Sequence, residues 1–184
     1  MQDLEKQARR FGTDVRYGMV TEVDFSGELK RATVDFEKEV TADTVIIATG
    51  ASAKWLGLKN EERFYSKGVS ACAVCDGFFF RGQDVAVVGG GDTAAEEASY
   101  LAKLARRVYL LVRRDELRAS QIMQQRVKNT PNIEILWNTE TLDILGDDEA
   151  GVTGARVRNT LTHEVYDLDV TGFFVAIGHQ PNTK

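Results

Sequence analysis

The chain has 184 residues, 43% hydrophobic and 28% charged, with 16 Gly, 2 Pro and 2 Cys, which excludes collagen-like, disordered and disulfide-scaffold chains and fits one domain, or one domain plus a piece of another. A net charge of -5 argues against a nucleic-acid binder, which needs a basic stripe to displace counterions from phosphates. No run approaches the roughly 18 apolar residues of a membrane span, and Met1-Gln-Asp-Leu-Glu-Lys-Gln7 has acidic residues where a signal peptide is basic and then apolar, so the chain reads as cytoplasmic, with no membrane partner.

In chain order, Leu4–Phe11 reads as the tail of a helix, ended by Gly12 at a C-cap. Val15–Phe25 and Arg31–Phe36, with a turn at Ser26-Gly27, predict a small antiparallel meander, and Thr44-Val-Ile-Ile-Ala48 predicts a more buried strand after it. Thr49-Gly50-Ala51-Ser52 breaks the pattern, and Lys54–Val69 has no clear period, so a boundary or crossover is expected near residue 50. Beyond it, the β run Asp84–Val88, the helical spacing of Asp92–Leu104 and the β run Arg107–Val112 predict a βαβ unit and hence a parallel sheet. Ala119–Asn129 predicts another helix, stopped at Thr130-Pro131, and Ile133–Trp137 a third parallel strand. Val152–Asn159 and Glu164–Asp169 flank a turn at Thr160–His163. The last apolar run, Gly172–Ile177, ends on Gly178 as Val45–Thr49 ends on Gly50, a weak internal repeat.

The first strand and helix of the βαβ unit are joined by Gly89-Gly-Gly-Asp-Thr-Ala94, which fits the dinucleotide pattern G-x-G-x-x-A. Small residues suit a chain that must turn tightly and approach a pyrophosphate while the helix start presents free N–H groups to it. The alternative is a ligand-free turn in which Asp92 or Thr93 caps the helix. After the second strand, where an NAD site usually carries Asp or Glu, stand Arg113, Arg114 and Arg118. Guanidinium groups suit a 2′-phosphate, which points to NADPH. Arg114 and Arg118 also have helical i, i+4 spacing, and the competing reading is a solvated loop balanced by Asp115 and Glu116.

Both cysteines fall in Cys72-Ala-Val-Cys75, followed at once by Asp76-Gly77 and Phe78–Phe80. Such a pair can close a small disulfide ring, hold half of a zinc site, or lie buried and inert, and a carboxylate beside it can relay protons. His163 and His179 lack partner spacing for zinc, so no metal is expected, and beside an NADPH site a dithiol relay is the leading reading.

These residues resemble the bacterial-type thioredoxin reductases, flavoproteins that pass electrons from NADPH through FAD to an enzyme disulfide and on to thioredoxin. The matching motifs are Ala48-Thr-Gly-Ala-Ser52, Gly68-Val-Ser-Ala-Cys-Ala-Val-Cys-Asp-Gly77, Gly89-Gly-Gly-Asp-Thr-Ala-Ala-Glu-Glu-Ala98, Arg113-Arg-Asp-x-x-Arg-Ala119 and Ala176-Ile-Gly-His-x-Pro-Asn-Thr183. The resemblance implies an α/β fold: a Rossmann-like three-layer NADPH domain at 52–178 with a parallel sheet and a β-meander, a partial FAD-domain strip at 1–51, and a return linker at 179–184. It implies that Cys75 faces the flavin, that Cys72 attacks the thioredoxin disulfide and that Asp76 is the acid–base group. Gly89, Gly91, Asp92, Thr93, Glu96, Arg113, Arg114, Arg118, Ile177 and Gly178 are implied NADPH contacts, and Ala48, Thr49 and Gly50 an FAD edge.

Val112 stands where the family commonly has His, and Val74 where Thr is usual. The family's N-terminal FAD-binding glycine motif and second flavin contact have no counterpart in the sequence, so the chain reads as the middle of a reductase, inactive in isolation, whose parent is a homodimer. Two alternatives stand beside this: the flavoprotein subunit of an alkyl hydroperoxide reductase, against which Arg113 and Arg114 argue, and a non-catalytic NADPH-binding module.

Overall fold

A computed structural model describes residues 2–183 and divides the chain into two compact units, Met1–Thr49 and Gly50–Lys184. The first unit begins with helix α1 (Gln2–Arg10), whose acidic first turn and basic last turn complement the helix dipole. It closes at Gly12, with φ +85°, where the Thr13 N–H reaches the Ala8 carbonyl at 3.2 Å and the Gly12 N–H the Arg9 carbonyl at 3.0 Å, a paired closure that favours glycine. Strands β1 (Val20–Asp24), β2 (Lys30–Val34) and β3 (Lys38–Ala42) form an antiparallel sheet in that order.

Two expectations need correction in this unit. The meander has a third strand, β3, whose charged start disguises it. The run Thr44–Ala48 is not a buried strand: it has no strand structure, and Ile46 is 92% exposed. A β-rich run becomes a strand only where a neighbouring edge takes up its backbone groups, and no described strand pairs with this one.

The second unit contains β4 (Ala51–Ala53), β5 (Val69–Ser70), the short helix α2 (Ala73–Asp76), β6 (Asp84–Val88), α3 (Asp92–Leu101), β7 (Arg107–Leu111), α4 (Gln121–Lys128), β8 (Ile133–Leu136), β9 (Thr139–Asp147), β10 (Gly151–Asn159), β11 (Val165–Leu168), β12 (Gly172–Val175) and β13 (His179–Pro181). Five strands make a parallel sheet in the order β5-β12-β6-β7-β8. Alternation along each strand sends side chains to opposite faces. Val85, Val87, Leu110 and Phe174 meet Ala95, Ala98 and Leu101 of α3 and Met123 and Val127 of α4 in one core. Ala86, Leu111, Phe173 and Val175 form a second core with Ile144, Val152, Ala155 and Val157 from the antiparallel sheet β11-β10-β9. The result is three layers: helices, parallel sheet, meander. The nine-residue strand β9 was not expected from the sequence.

β13 pairs antiparallel with β4, His179 opposite Ala53 and Pro181 opposite Ala51. The two glycine-marked crossovers near residues 50 and 178 therefore run side by side as a ribbon. Among the described residues, no helix is long and apolar enough to cross a membrane.

Candidate active site: an arginine-lined cleft and a cysteine turn

The glycine turn lies between β6 and α3. Gly89 has φ +150°, and a Cβ there would stand 2.4 Å from the Ala176 carbonyl oxygen and 2.7 Å from the Ala94 Cβ, so only glycine lets β6 turn into α3 against the end of β12. A Cβ on Gly91, by contrast, would meet nothing within 4 Å, which leaves the helix start open to an approaching group. No side chain caps α3. Asp92 turns away instead: its carboxylate accepts from the Ser120 backbone N–H at 2.9 Å and the Ser120 hydroxyl at 2.8 Å, and these two bonds lower its pKa. The Gly90 carbonyl accepts from the Arg118 and Ala119 N–H groups at 2.7 and 3.1 Å. The glycine turn and the segment 112–120 are thereby tied together at both ends of the α3 start.

That segment is a loop, so the i, i+4 relation of Arg114 and Arg118 is not a helical one. Val112, Leu117 and Ala119 are buried and anchor it, while Arg113, Arg114 and Arg118 are exposed. Arg63, Arg106, Arg156 and Arg158 each hold a carboxylate, but none of the three loop arginines forms an ion pair among the described residues. Asp115 and Glu116 form no ion pair with them among the described residues, although Glu116 lines the same cleft. A cleft of about 340 Å³ opens there, lined by Gly89, Gly90, Arg113, Arg114, Arg118 and Ile177 together with Leu56, Leu58 and Thr139–Thr141. The last two groups were invisible in the sequence. Leu56 and Leu58 are held by buried Glu61, whose carboxylate accepts from the N–H groups of Leu56, Gly57 and Leu58 at 2.9, 2.7 and 3.3 Å; no spacing rule signals such a contact.

The other nominated residues fall outside that cleft. Thr93 is half-buried in the first turn of α3, and Glu96 faces a separate depression with Lys103 and Arg126. Gly178 has φ +101°, and its carbonyl accepts from the Lys54 N–H at 3.0 Å. The Gly50 carbonyl accepts from the Asn182 N–H at 3.0 Å, while Ala48 and Thr49 belong to the first unit and are exposed.

Cys72 and Cys75 form a disulfide, with an S–S distance of 2.00 Å and Cα atoms 5.3 Å apart. Cys72 stands at the N-cap of α2, and the Cys75 N–H donates to its Sγ at 3.2 Å. The Ser70 hydroxyl accepts from the Cys72 N–H at 3.0 Å and donates to Asp76 Oδ2 at 2.6 Å, and the Asp76 N–H closes the turn on the Cys72 carbonyl at 3.1 Å. One buried serine thus connects the backbone of the cysteine turn to the carboxylate beside it. Sequence reasoning missed Ser70, because a serine two positions before a cysteine carries no signal of its own. Cys75 is the more exposed of the two cysteine residues, so exposure does not select Cys72 as the nucleophile; that role rests on the resemblance. Val74, between the two cysteines, and Phe78 and Phe79, which follow them, are 71%, 64% and 73% exposed.

A strand–glycine–helix turn, arginines that form no ion pair among the described residues and a cysteine pair all fall in the same three-layer unit. The family model "Pyridine nucleotide-disulphide oxidoreductase" matches residues 4–184, and the chain belongs to that family. Within it, the chain is 48% identical over 186 residues to thioredoxin reductase of Vibrio cholerae and 50% identical over 184 residues to that of Mycolicibacterium smegmatis, in each case covering all of this chain and 58% of the relative. The crystal structure of thioredoxin reductase from Lactococcus lactis superposes with a TM-score of 0.79 at 37% identity, and that from Giardia duodenalis with 0.83 at 39%, each over 59% of its own length and over 98% and 99% of this chain. The chain spans just under three-fifths of the length of the relatives it matches.

Proposed function

We propose that the chain is the NADPH-binding and disulfide-carrying part of a flavoprotein thioredoxin reductase, with residues 52–178 as the NADPH domain, 1–51 as a strip of an FAD domain and 179–184 as the link back to it. The observation that carries the reading is the union, in one three-layer unit, of three unpaired arginines at the glycine turn and a disulfide wired to a carboxylate. The donors suit NADPH: an open helix start at Gly91 for the pyrophosphate, and Arg113, Arg114 and Arg118 for the 2′-phosphate. The same unpaired arginines weigh against an NADH-preferring hydroperoxide reductase subunit.

When bound, NADPH supplies a hydride and FAD passes the electron pair to the disulfide. The remaining chemistry belongs to this chain. With the pair reduced, the Cys72 thiolate attacks a sulfur of the thioredoxin disulfide; Cys75 then attacks Cys72 Sγ, releasing dithiol thioredoxin and re-forming the Cys72–Cys75 bond. Asp76, held by Ser70, gives and takes the proton of the dithiol. Ile177 lines the same cleft; Thr93, Glu96 and Gly178, which stand outside it, are assigned to NADPH on the resemblance alone, as Ala48, Thr49 and Gly50 are to an FAD edge. The same reading makes the parent protein a cytoplasmic homodimer.

Calorimetric titration of the chain with NADPH and NADH tests the cofactor assignment. NADPH is expected to bind at least about tenfold more tightly, since one charge-assisted hydrogen bond contributes about 1.5–3 kcal/mol. Equal affinities would overturn it.

A further inference from the structure

Glu97 is a half-buried acid that the chemistry above does not use. It lies on α3, which packs against α2. Among the described residues its Oε2 is buried and has no hydrogen-bond partner, while the backbone N–H of Ala73 acts on its carboxyl group and lowers its pKa. Ala73 is 1% exposed and stands between the two cysteines, so the carboxyl is coupled to the backbone of the redox turn through that amide.

Burial pushes the pKa of Glu97 up to about 7, and the Ala73 N–H opposes the rise only partly. No charged side chain contributes: not Asp76 from α2, Asp84 from β6, Arg107 from β7, Arg126 or Lys128 from α4, nor Asp92 or Glu96 on its own helix. A carboxyl in this position changes charge within the range where thiols are used.

We propose that Glu97 is a positioning residue of the Cys72–Cys75 couple: its carboxyl holds the Ala73 amide between the cysteines and takes up a proton when the disulfide is reduced. Reduction by two electrons breaks the S–S bond and, with one proton from water, leaves one thiol and one thiolate. The Cys75 N–H that faces Cys72 Sγ at 3.2 Å favours the charge at Cys72. A thiolate and a carboxylate on adjoining turns repel, so the second proton goes to Glu97 and not to sulfur. The couple thereby binds two protons for two electrons while keeping Cys72 in its nucleophilic form. The physiological role of this linkage rests on the reductase reading, but its test needs no flavin, NADPH or thioredoxin.

The 184-residue chain and its Glu97→Gln variant are equilibrated with mixtures of reduced and oxidised dithiothreitol between about pH 6 and about pH 8.5, and the thiols are counted after alkylation. Dithiothreitol supplies the electron pair and becomes its own cyclic disulfide. Below the Glu97 pKa the carboxyl is already protonated in both redox states, so wild type and variant share one equilibrium constant. Above it, the wild-type carboxylate penalises the reduced state and the variant's amide does not. The variant is therefore expected to become easier to reduce as pH rises, by roughly tenfold at the alkaline end, which is about 30 mV for a two-electron couple. Coinciding curves, or an offset that is constant with pH, would overturn the linkage. A second measurement needs no variant: in wild-type chain carrying ¹³C at the glutamate side-chain carboxyls, reduction at about pH 8 is expected to add an infrared signal of a protonated glutamate, and its absence would be equally fatal. Either failure leaves the NADPH titration above untouched, and equal binding of NADPH and NADH would leave the Glu97 linkage standing.

Discussion

One hydroxyl joins the paired cysteines to the acid beside them. Ser70 is 7% exposed; its hydroxyl accepts from the Cys72 N–H and donates to the Asp76 carboxylate, with a longer contact to the Cys72 carbonyl at 3.4 Å. Replacing it with Ala leaves the Cys72 N–H and the Asp76 carboxylate each short of a partner in a part-buried place, and an unsatisfied group there costs about 1–3 kcal/mol. We expect Ser70→Ala to lower the stability of the oxidised chain by that amount in urea titration; a loss under about 0.5 kcal/mol, the bottom of the range for a single hydrogen bond, would mean that water replaces the hydroxyl freely. Cys72, Cys75 and Asp76 were legible because three chemistry-bearing residue types stand almost contiguously. Ser70, Glu61 and Glu97 were not, because each acts through a backbone N–H brought to it by the fold, and such contacts leave no period or spacing in the sequence.

At the scale of elements, the glycine turn and the arginine loop work as one piece. Gly90 and Asp92 bind the backbone of residues 118–120, so the loop is held in place by contacts that no arginine side chain makes. Replacing Arg113 and Arg114 with Ala should therefore remove cation without moving the loop. Each change is expected to weaken NADPH by about tenfold to a hundredfold and to leave NADH nearly unchanged, measured by calorimetry; parallel losses for both nucleotides would assign the arginines to the shared pyrophosphate and not to the 2′-phosphate. The βαβ unit and this turn were readable because period 2, period 3.6 and the glycines agree over one stretch of chain. The outcome was otherwise for Thr44–Ala48, where β propensity was strong but no partner edge is present among the described residues, and for β3 and β9, where charged and polar residues interrupt the apolar pattern of strands that pairing holds.

At the scale of the molecule, the parallel sheet has a core on each face, which lets one unit hold both the cleft and the cysteine turn. Helices on one side carry the glycine turn, Glu97 and the cysteine turn against the same core, through Ala73, Ala94 and Ala98; the meander on the other supplies Thr139–Thr141 to the far wall of the cleft. The sequence contains one glycine-rich strand-to-helix turn of dinucleotide type, Gly89–Gly91, and the arginines that flank it suit NADPH. FAD also carries a pyrophosphate and needs a cradle of its own, for which the proposed reading assigns only the short edge at Ala48–Gly50. A polypeptide of these 184 residues is therefore expected to bind NADPH, to elute colourless from gel filtration after incubation with FAD, and to reduce no thioredoxin at the expense of NADPH. Its disulfide should still open with dithiothreitol, since neither the bond nor the Ser70–Asp76 link depends on flavin. A yellow preparation that turns over NADPH with thioredoxin would show that the flavin finds its cradle within these residues, and the assignment of 1–51 as only a strip of an FAD domain would fall.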